Sequence, residues 1–458
     1  MSQQWFGHPR GLSVLFFTEM WERFSFTGMR TLLFLYMVGS VQQPGLGFSA
    51  REAGTIYGTY TMLVFVSGMA GGWIADRWLG QYRAVLIGGI IIAAGHFSMA
   101  APGLPFFYTG LALIVIGTGL LKPSVSTMVG NLYAPEDKRR DAGFAIFYMG
   151  INTGGVLAIV CAWLGQKGSW HLGFAAAGVG MILGLIQYVV GRKHLAVDER
   201  PHPASGHPLP EAGEGPRDDG CREPSPAWRE KVPLTLSEAK RKGRMRATSV
   251  TQRIAAIVIL SLFALLFWAA FAQIGTTLTL FADRATRLTI AGFGYPSSAF
   301  QSANPFFIIV FSPLIALLWM RLGKREPSSP TKFTLGLALH AVAFAILLPA
   351  AFEFESTNIR VSPLWLIAFY LVQAIAELCL SPVGLSLVAR LAPARTANLM
   401  MGVWFFATGM GSFVAGWIAR YLEKGTYSNL FLITMAVMAI SAVLLAAIGK
   451  PIRRLTGE

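Results

Sequence analysis

Six ionisable side chains stand in stretches otherwise apolar enough to cross a membrane: Glu19, Glu22, Arg23, Arg30, Lys122 and Glu377. An ionised group at a bilayer centre costs about 2.5–3.5 kcal/mol even on a lenient insertion scale, so such groups pair, face water or serve a function. Three acids and three bases can neutralise one another, hold a ligand of mixed charge, or pass protons. Glu19, Glu22, Arg23, Phe26 and Arg30 are spaced i, i+3, i+4, i+7 and i+11, which places them on one face of a helix. A structural ion-pair stripe between helices is the competing reading of that face.

The elements that must position these charges are membrane spans. The chain is 54% hydrophobic and only 13% charged, about half the charge of a soluble chain, with mean hydropathy +0.53. Twelve apolar runs of spanning length recur near 12–38, 53–75, 84–101, 105–131, 142–165, 171–191, 253–281, 296–320, 332–351, 362–388, 399–420 and 428–449. The first is too long and too charged for a cleavable signal peptide. Cys161, Cys221 and Cys379 lie far apart and suggest neither a disulfide framework nor a metal site.

Most Lys and Arg fall in loops that share a side with both termini, such as Lys138–Arg140, Arg321–Arg325 and Lys450–Arg454. The positive-inside rule then puts both termini in the cytoplasm, in a cytoplasmic (inner) membrane. The net charge of +15 needs no nucleic-acid partner, because basic loops beside anionic lipid account for it.

Residues 192–250 are polar, Pro-rich and basic, with HPASGHPLPEAGEGPRDDG followed by KRKGRMR. They read as a cytoplasmic linker between an N-terminal six-helix unit, 1–191, and a C-terminal one, 251–458. The halves repeat faintly. LLKPS at 120–124 resembles CLSPV at 379–383, and Gly143/Gly402, Phe147/Phe406 and Gly150/Gly409 share one offset. Two six-helix bundles related by such a repeat are the arrangement of a major facilitator, with substrate bound between the halves. GGWIADRWLGQYR at 71–83 also resembles the loop pattern of that superfamily. Gly72 there is expected to permit close packing, and Asp76 and Arg77 to cap and latch helix ends. The fold expected is an all-α membrane protein of twelve transmembrane helices, as a monomer in a lipid bilayer.

Aligning Pro123 with Pro382 sets Lys122 and Glu377 on pseudo-equivalent helices, 4 and 10, about one turn apart in depth. A cation in one half then faces an anion in the other, a field that suits a substrate with a negative and a positive end. A short peptide or an amino acid is such a molecule. A Lys122–Glu377 latch without a ligand is the alternative. A carboxyl's proton affinity rises in a low-dielectric site and falls beside an arginine. An arginine that moves from a glutamate to a substrate carboxylate therefore couples proton and substrate.

The residues resemble the proton-dependent oligopeptide transporters nearly end to end. Glu19, Glu22 and Arg23 match the helix 1 motif Glu-xx-Glu-Arg, and FYMGINTG at 147–154 matches the helix 5 signature. LLKPSVSTMVG in helix 4, QSANPFF in helix 8, ELCLSPVGLSLV in helix 10 and MGVWFFATG in helix 11 follow in order. The resemblance implies uptake of di- and tripeptides with protons as the coupling ion, no enzyme activity and no cofactor. It implies that Arg23 and Lys122 lie near the peptide carboxylate, with Arg30 assisting, and that Glu377 takes the amino group. It implies that Asn152 and Asn304 bond the backbone or termini and that Tyr60, Trp268 and Trp404 line side-chain pockets. Glu19 and Glu22 are the proton sites it points to. Read without it, both tryptophans are core or interface-belt aromatics, and Asn152 is as readily an interhelical packing contact.

Three departures stand out. Many family members carry an acid in helix 7 where this chain has Ala272, in FWAAFAQIGTTL. Two hydroxyl-bearing rings expected after the helix 1 motif are replaced by Phe26 and Thr27. The linker is too polar for the two extra helices of many bacterial relatives. Other readings are export, drug antiport, a membrane sensor or an intramembrane enzyme. His96, His171 and His340 are not spaced as metal ligands, and no nucleophile elbow is present. His96 and His340 fall within spans and are candidate proton groups.

Overall fold

A computed structural model describes residues 4–40, 45–133, 137, 139–195, 249–290, 292–392, 397–423 and 426–456. Most of the linker, with its KRKGRMR end and Cys221, lies outside these residues. Long helices dominate: α1 (Arg10–Val38), α2 (Ala50–Ile74), α3 (Gln81–Ala100), α4 (Leu104–Asn131), α5 (Arg140–Leu157) and α6 (Trp170–Val190) precede the linker. α7 (Val250–Phe271), α8 (Ala303–Leu322), α9 (Ser329–Thr357), α10 (Leu364–Leu391), α11 (Ala397–Ala419) and α12 (Tyr427–Ala447) follow it. The only strands among the described residues are two-residue pairs, Gln4–Trp5 with His8–Pro9 and Thr289–Ile290 with Phe293–Gly294.

Ten of these segments are both long and apolar enough to span a membrane. α1 and α2 are not among the ten, although their 29 and 25 residues exceed the roughly 20 needed to cross the hydrocarbon core. In α1 the charges of Glu19, Glu22, Arg23 and Arg30 lower the hydropathy, and those four are the candidate chemistry. Local signals start the helices. Ser49 and Glu52 cap each other's backbone at the head of α2, and Ser249 and Gln252 do the same for α7.

Two expected spans are interrupted. α5 gives way to Ile159–Trp163 and then a wider turn over Leu164–Gly168. α7 tightens over Ala272–Gly275, breaks at Thr276 (φ −130°, ψ −94°) and resumes as Thr277–Ala285. The break has a steric correlate, since a Cβ on Gly275 would stand 1.7 Å from the Tyr57 hydroxyl of α2.

Large apolar side chains such as Ile90, Ile186, Leu262 and Val443 are exposed on the outer faces. Glycines fill the inner contacts instead. A Cβ on Gly71 of α2 would lie 2.1 Å from the Gly119 carbonyl of α4. One on Gly72 would meet Pro123 at an ordinary 3.5 Å. The close approach expected at Gly72 therefore falls one residue earlier, because Gly71 is the position whose face meets the α4 backbone. Asp76 and Arg77 lie in a π-helical turn, Ala75–Leu79, where both are exposed and Arg77 sits over the Trp73 ring.

The halves meet tightly at the end that carries the α1–α2 connection. A Cβ on Gly54 would stand 2.3 Å from the Gly416 carbonyl, so α2 and α11 touch backbone to backbone. Gln166, just past α5, donates Nε2 to Ser297 Oγ at 2.9 Å. Its Oε1 accepts from Ser298 N at 2.9 Å and Ser298 Oγ at 2.6 Å, just before α8. Ser297 in turn donates to Asp283 at 2.7 Å.

Candidate functional site

The FYMGINTG stretch brings α5 onto α1 at the charged face. A Cβ on Gly154 would stand 2.2 Å from the Met20 carbonyl and 2.8 Å from the Arg23 Cβ. Gly150, one turn earlier, meets Phe16 in the same way, at 2.9 Å. Small residues at i and i+4 thus let a backbone press against the base of Arg23.

On α1 the charges form a compact cluster. Arg23 Nη2 donates to Glu22 Oε1 at 2.5 Å, Arg23 Nε donates to Glu22 Oε2, and Glu19 Oε1 lies 3.4 Å from Arg23 Nε. Glu19 and Glu22 are buried and lie behind the arginine, away from the cavity wall. Two guanidinium groups approach the Phe26 ring, with Arg23 Cζ at 4.8 Å and Arg30 Cζ at 5.6 Å from its centroid. The Tyr60 ring stacks on Phe26 at 6.4 Å, and its buried hydroxyl has no hydrogen-bond partner. Tyr60 therefore backs Phe26 instead of lining the cavity.

The cavity itself holds about 320 Å³ between the two halves. Arg23 and Arg30 of α1 and Lys122 of α4 reach it from one half, and Glu377 of α10 from the other. Asn152 of α5, Asn304 of α8, Trp268 of α7 and Trp404 of α11 also line it. Asn304 Nδ2 donates to Glu377 Oε2 at 3.4 Å, which orients the carboxylate. Asn152 Nδ2 donates to the Tyr148 carbonyl at 3.0 Å. Trp404 packs on Phe333 and fills the space where Gly384 lacks a Cβ, with its ring 2.2 Å from that position. The buried Nε1 of Trp268 and Nε of Arg30 have no hydrogen-bond partner. Lys122 Nζ lies 5.2 Å from the Phe65 ring centroid, and no Lys122–Glu377 ion pair is present among the described residues. The arrangement is open to a ligand between those charges.

A second cavity of about 310 Å³ shares Phe65, Lys122 and Phe405 with the first. It runs past Met69, Ser126 and Gly402, toward the end opposite the α1–α2 connection. His96 and His340 are fully buried elsewhere. His340 lies 3.4 Å from the Gln373 amide and stacks on Phe344, and neither histidine lines the cavity.

Tyr148, Gln301 and Thr408 also line the cavity, although sequence reasoning did not single them out. The signals were present, since Tyr148 and Gln301 sit inside the quoted motifs and Thr408 follows Trp404 by one turn.

A model of the POT family matches residues 82–204 and 231–443, more than half of the sequence. The chain belongs to the POT family. As a POT protein it is an integral multi-pass membrane transporter of the major facilitator type, not an enzyme. It is 41% identical to the uncharacterized transporter YclF of Bacillus subtilis, over 98% of this chain and 96% of the relative. A di-/tripeptide transporter of Lactococcus lactis is 35% identical, over 99% and 97%. Among solved structures, the peptide transporter POT in complex with sulfate superposes with a TM-score of 0.84 at 36% identity, covering 99% of this chain and 97% of that one.

Proposed function

We propose that this POT protein takes up di- and tripeptides together with protons by alternating access of its two halves. The observation that carries the reading is the single cavity in which Arg23, Arg30 and Lys122 face Glu377 across the interface of the halves. A short peptide has a carboxylate for the cations and an ammonium group for the carboxylate, each held by a charge-assisted bond. Asn152 and Asn304 supply neutral bonds to its amide, and the apolar walls with Trp268 and Trp404 take its side chains. Names of relatives such as the di-/tripeptide transporter support a peptide substrate and give none to drug antiport or sensing.

Protons act as the coupling ion, with no other cofactor. Glu19 and Glu22 hold the proton while Arg23 turns toward the peptide carboxylate, and Glu377 contributes where Ala272 replaces an acid. A driving force near 150 mV supplies about 3.5 kcal/mol per proton, enough for roughly 300-fold accumulation. The closed end at Gly54–Gly416 is the outer one, so this conformation faces the cytoplasm. The transporter sits as a monomer in the inner-membrane bilayer with both termini cytoplasmic.

Uptake of labelled dialanine into proteoliposomes under an imposed inward proton gradient tests this. Accumulation above equilibrium is expected, with competition by free dipeptides and little by N-acetylated ones. A folded protein that shows no uptake contradicts the reading.

A further inference from the structure

We propose that Arg30 selects peptides that carry an acidic side chain, an inference that rests on the peptide reading above and narrows it. Of the three cations on the cavity wall, Arg23 alone has an ion-pair contact among the described residues, with Glu22 and Glu19. Arg30 has no ion-pair partner among the described residues, and its buried Nε makes no hydrogen bond. Its guanidinium stands 5.6 Å from the Phe26 ring centroid, a contact that softens a charge but does not cancel it. Glu377 is the one carboxylate on the wall among the described residues.

Charge counting then fixes what is missing. Loaded with one proton, the Glu19–Glu22–Arg23 cluster is neutral. Arg30, Lys122 and Glu377 leave one net positive charge, and a zwitterionic peptide does not change it. A ligand with one further carboxylate brings the cavity to neutrality, which favours it because a charge withdrawn from water without a partner is costly. A guanidinium is suited to that carboxylate because its fork binds both oxygens at once. Thr27 lies one turn before Arg30 on the cavity wall, and its side chain is short.

The test compares alanyl-glutamate with alanyl-glutamine, which have nearly the same shape and differ in charge, as competitors of labelled dialanine in proteoliposomes at neutral pH. In the wild type the glutamate peptide should compete about tenfold better, the scale of one charge-assisted bond. In Arg30→Gln the ratio of the two should fall to about one, and Arg30→Lys should keep part of it. Equal competition in the wild type, or an undiminished ratio in Arg30→Gln, overturns the proposal. A folded wild type that fails to take up even dialanine overturns the peptide reading and this inference together. The dialanine signal tells that outcome from a selective failure.

Discussion

The Arg23 guanidinium grips the carboxylate of its own chain neighbour, Glu22, through both Nε and Nη2. Successive residues of a helix point about 100° apart, so the pair closes by the long Arg23 side chain reaching back to its neighbour. Beside it Gly154 has no Cβ, and the α5 backbone lies close against Met20 and the Arg23 stem. An arginine held this way has a second place to go, toward the cavity it also lines. The proposed coupling moves Arg23 from that internal carboxylate to a substrate carboxylate.

Packing at the α2–α4 contact separates two adjacent glycines. Gly71→Ala should destabilise the protein by about 1–3 kcal/mol, the usual cost of overpacking, because the new methyl meets the Gly119 backbone. Gly72→Ala, with only an ordinary Pro123 contact to make, should be close to neutral. Thermal unfolding in detergent reads the difference, and equal losses in the two variants would contradict it.

Gln166 bridges the halves at the α1–α2 end through Ser297 and Ser298. Gln166→Leu removes three hydrogen bonds to Ser297 and Ser298, worth about 1 kcal/mol each in net terms. The population open at that end should rise at least tenfold. Spin labels placed across the Gly54–Gly416 seam would report a longer distance in the variant, and an unchanged distribution would dismiss the bridge as a latch.

Outside the spans, hydrogen bonds from Arg139 pull the Asp137 carboxyl down to about 2. A carboxyl lowered below its unfolded value of about 3.9 contributes stability above that value and loses it as pH falls through about 2. From about pH 5 to about pH 8 the group stays ionised, so it cannot shape the pH dependence of transport there. Asp137→Asn should keep the wild-type uptake profile over that range, and a shifted profile would show that the loop pair takes part in coupling.

Much of this was legible in the sequence because it is written in local periodicity. The one-face spacing of Glu19, Glu22, Arg23 and Arg30 needed only the helical repeat, and Glu377 and Lys122 stood out by charge alone. What stayed hidden depends on contacts across the chain. Tyr60 was expected on the wall, yet it stacks on Phe26, which lines the cavity where Tyr60 does not. Gly71 and Gly72 are indistinguishable by type, and only the rotation of α2 against α4 decides which one touches backbone. The break at Thr276 sits in an apolar run that reads as one helix, and its correlate is the Tyr57 hydroxyl of another helix. Gln166 and Ser297 are 131 positions apart, so no local pattern joins them.

The most direct measurement of the central claim pairs wild-type and Glu22→Gln protein in proteoliposomes. Each is assayed for dialanine accumulation under an inward proton gradient and for peptide counterflow without one. The account predicts that the variant loses accumulation and keeps counterflow, because the neutral amide leaves Arg23 free for the substrate but can take up no proton. A Glu22→Gln protein that still accumulates peptide to the wild-type level would contradict coupling through the Arg23–Glu22 pair.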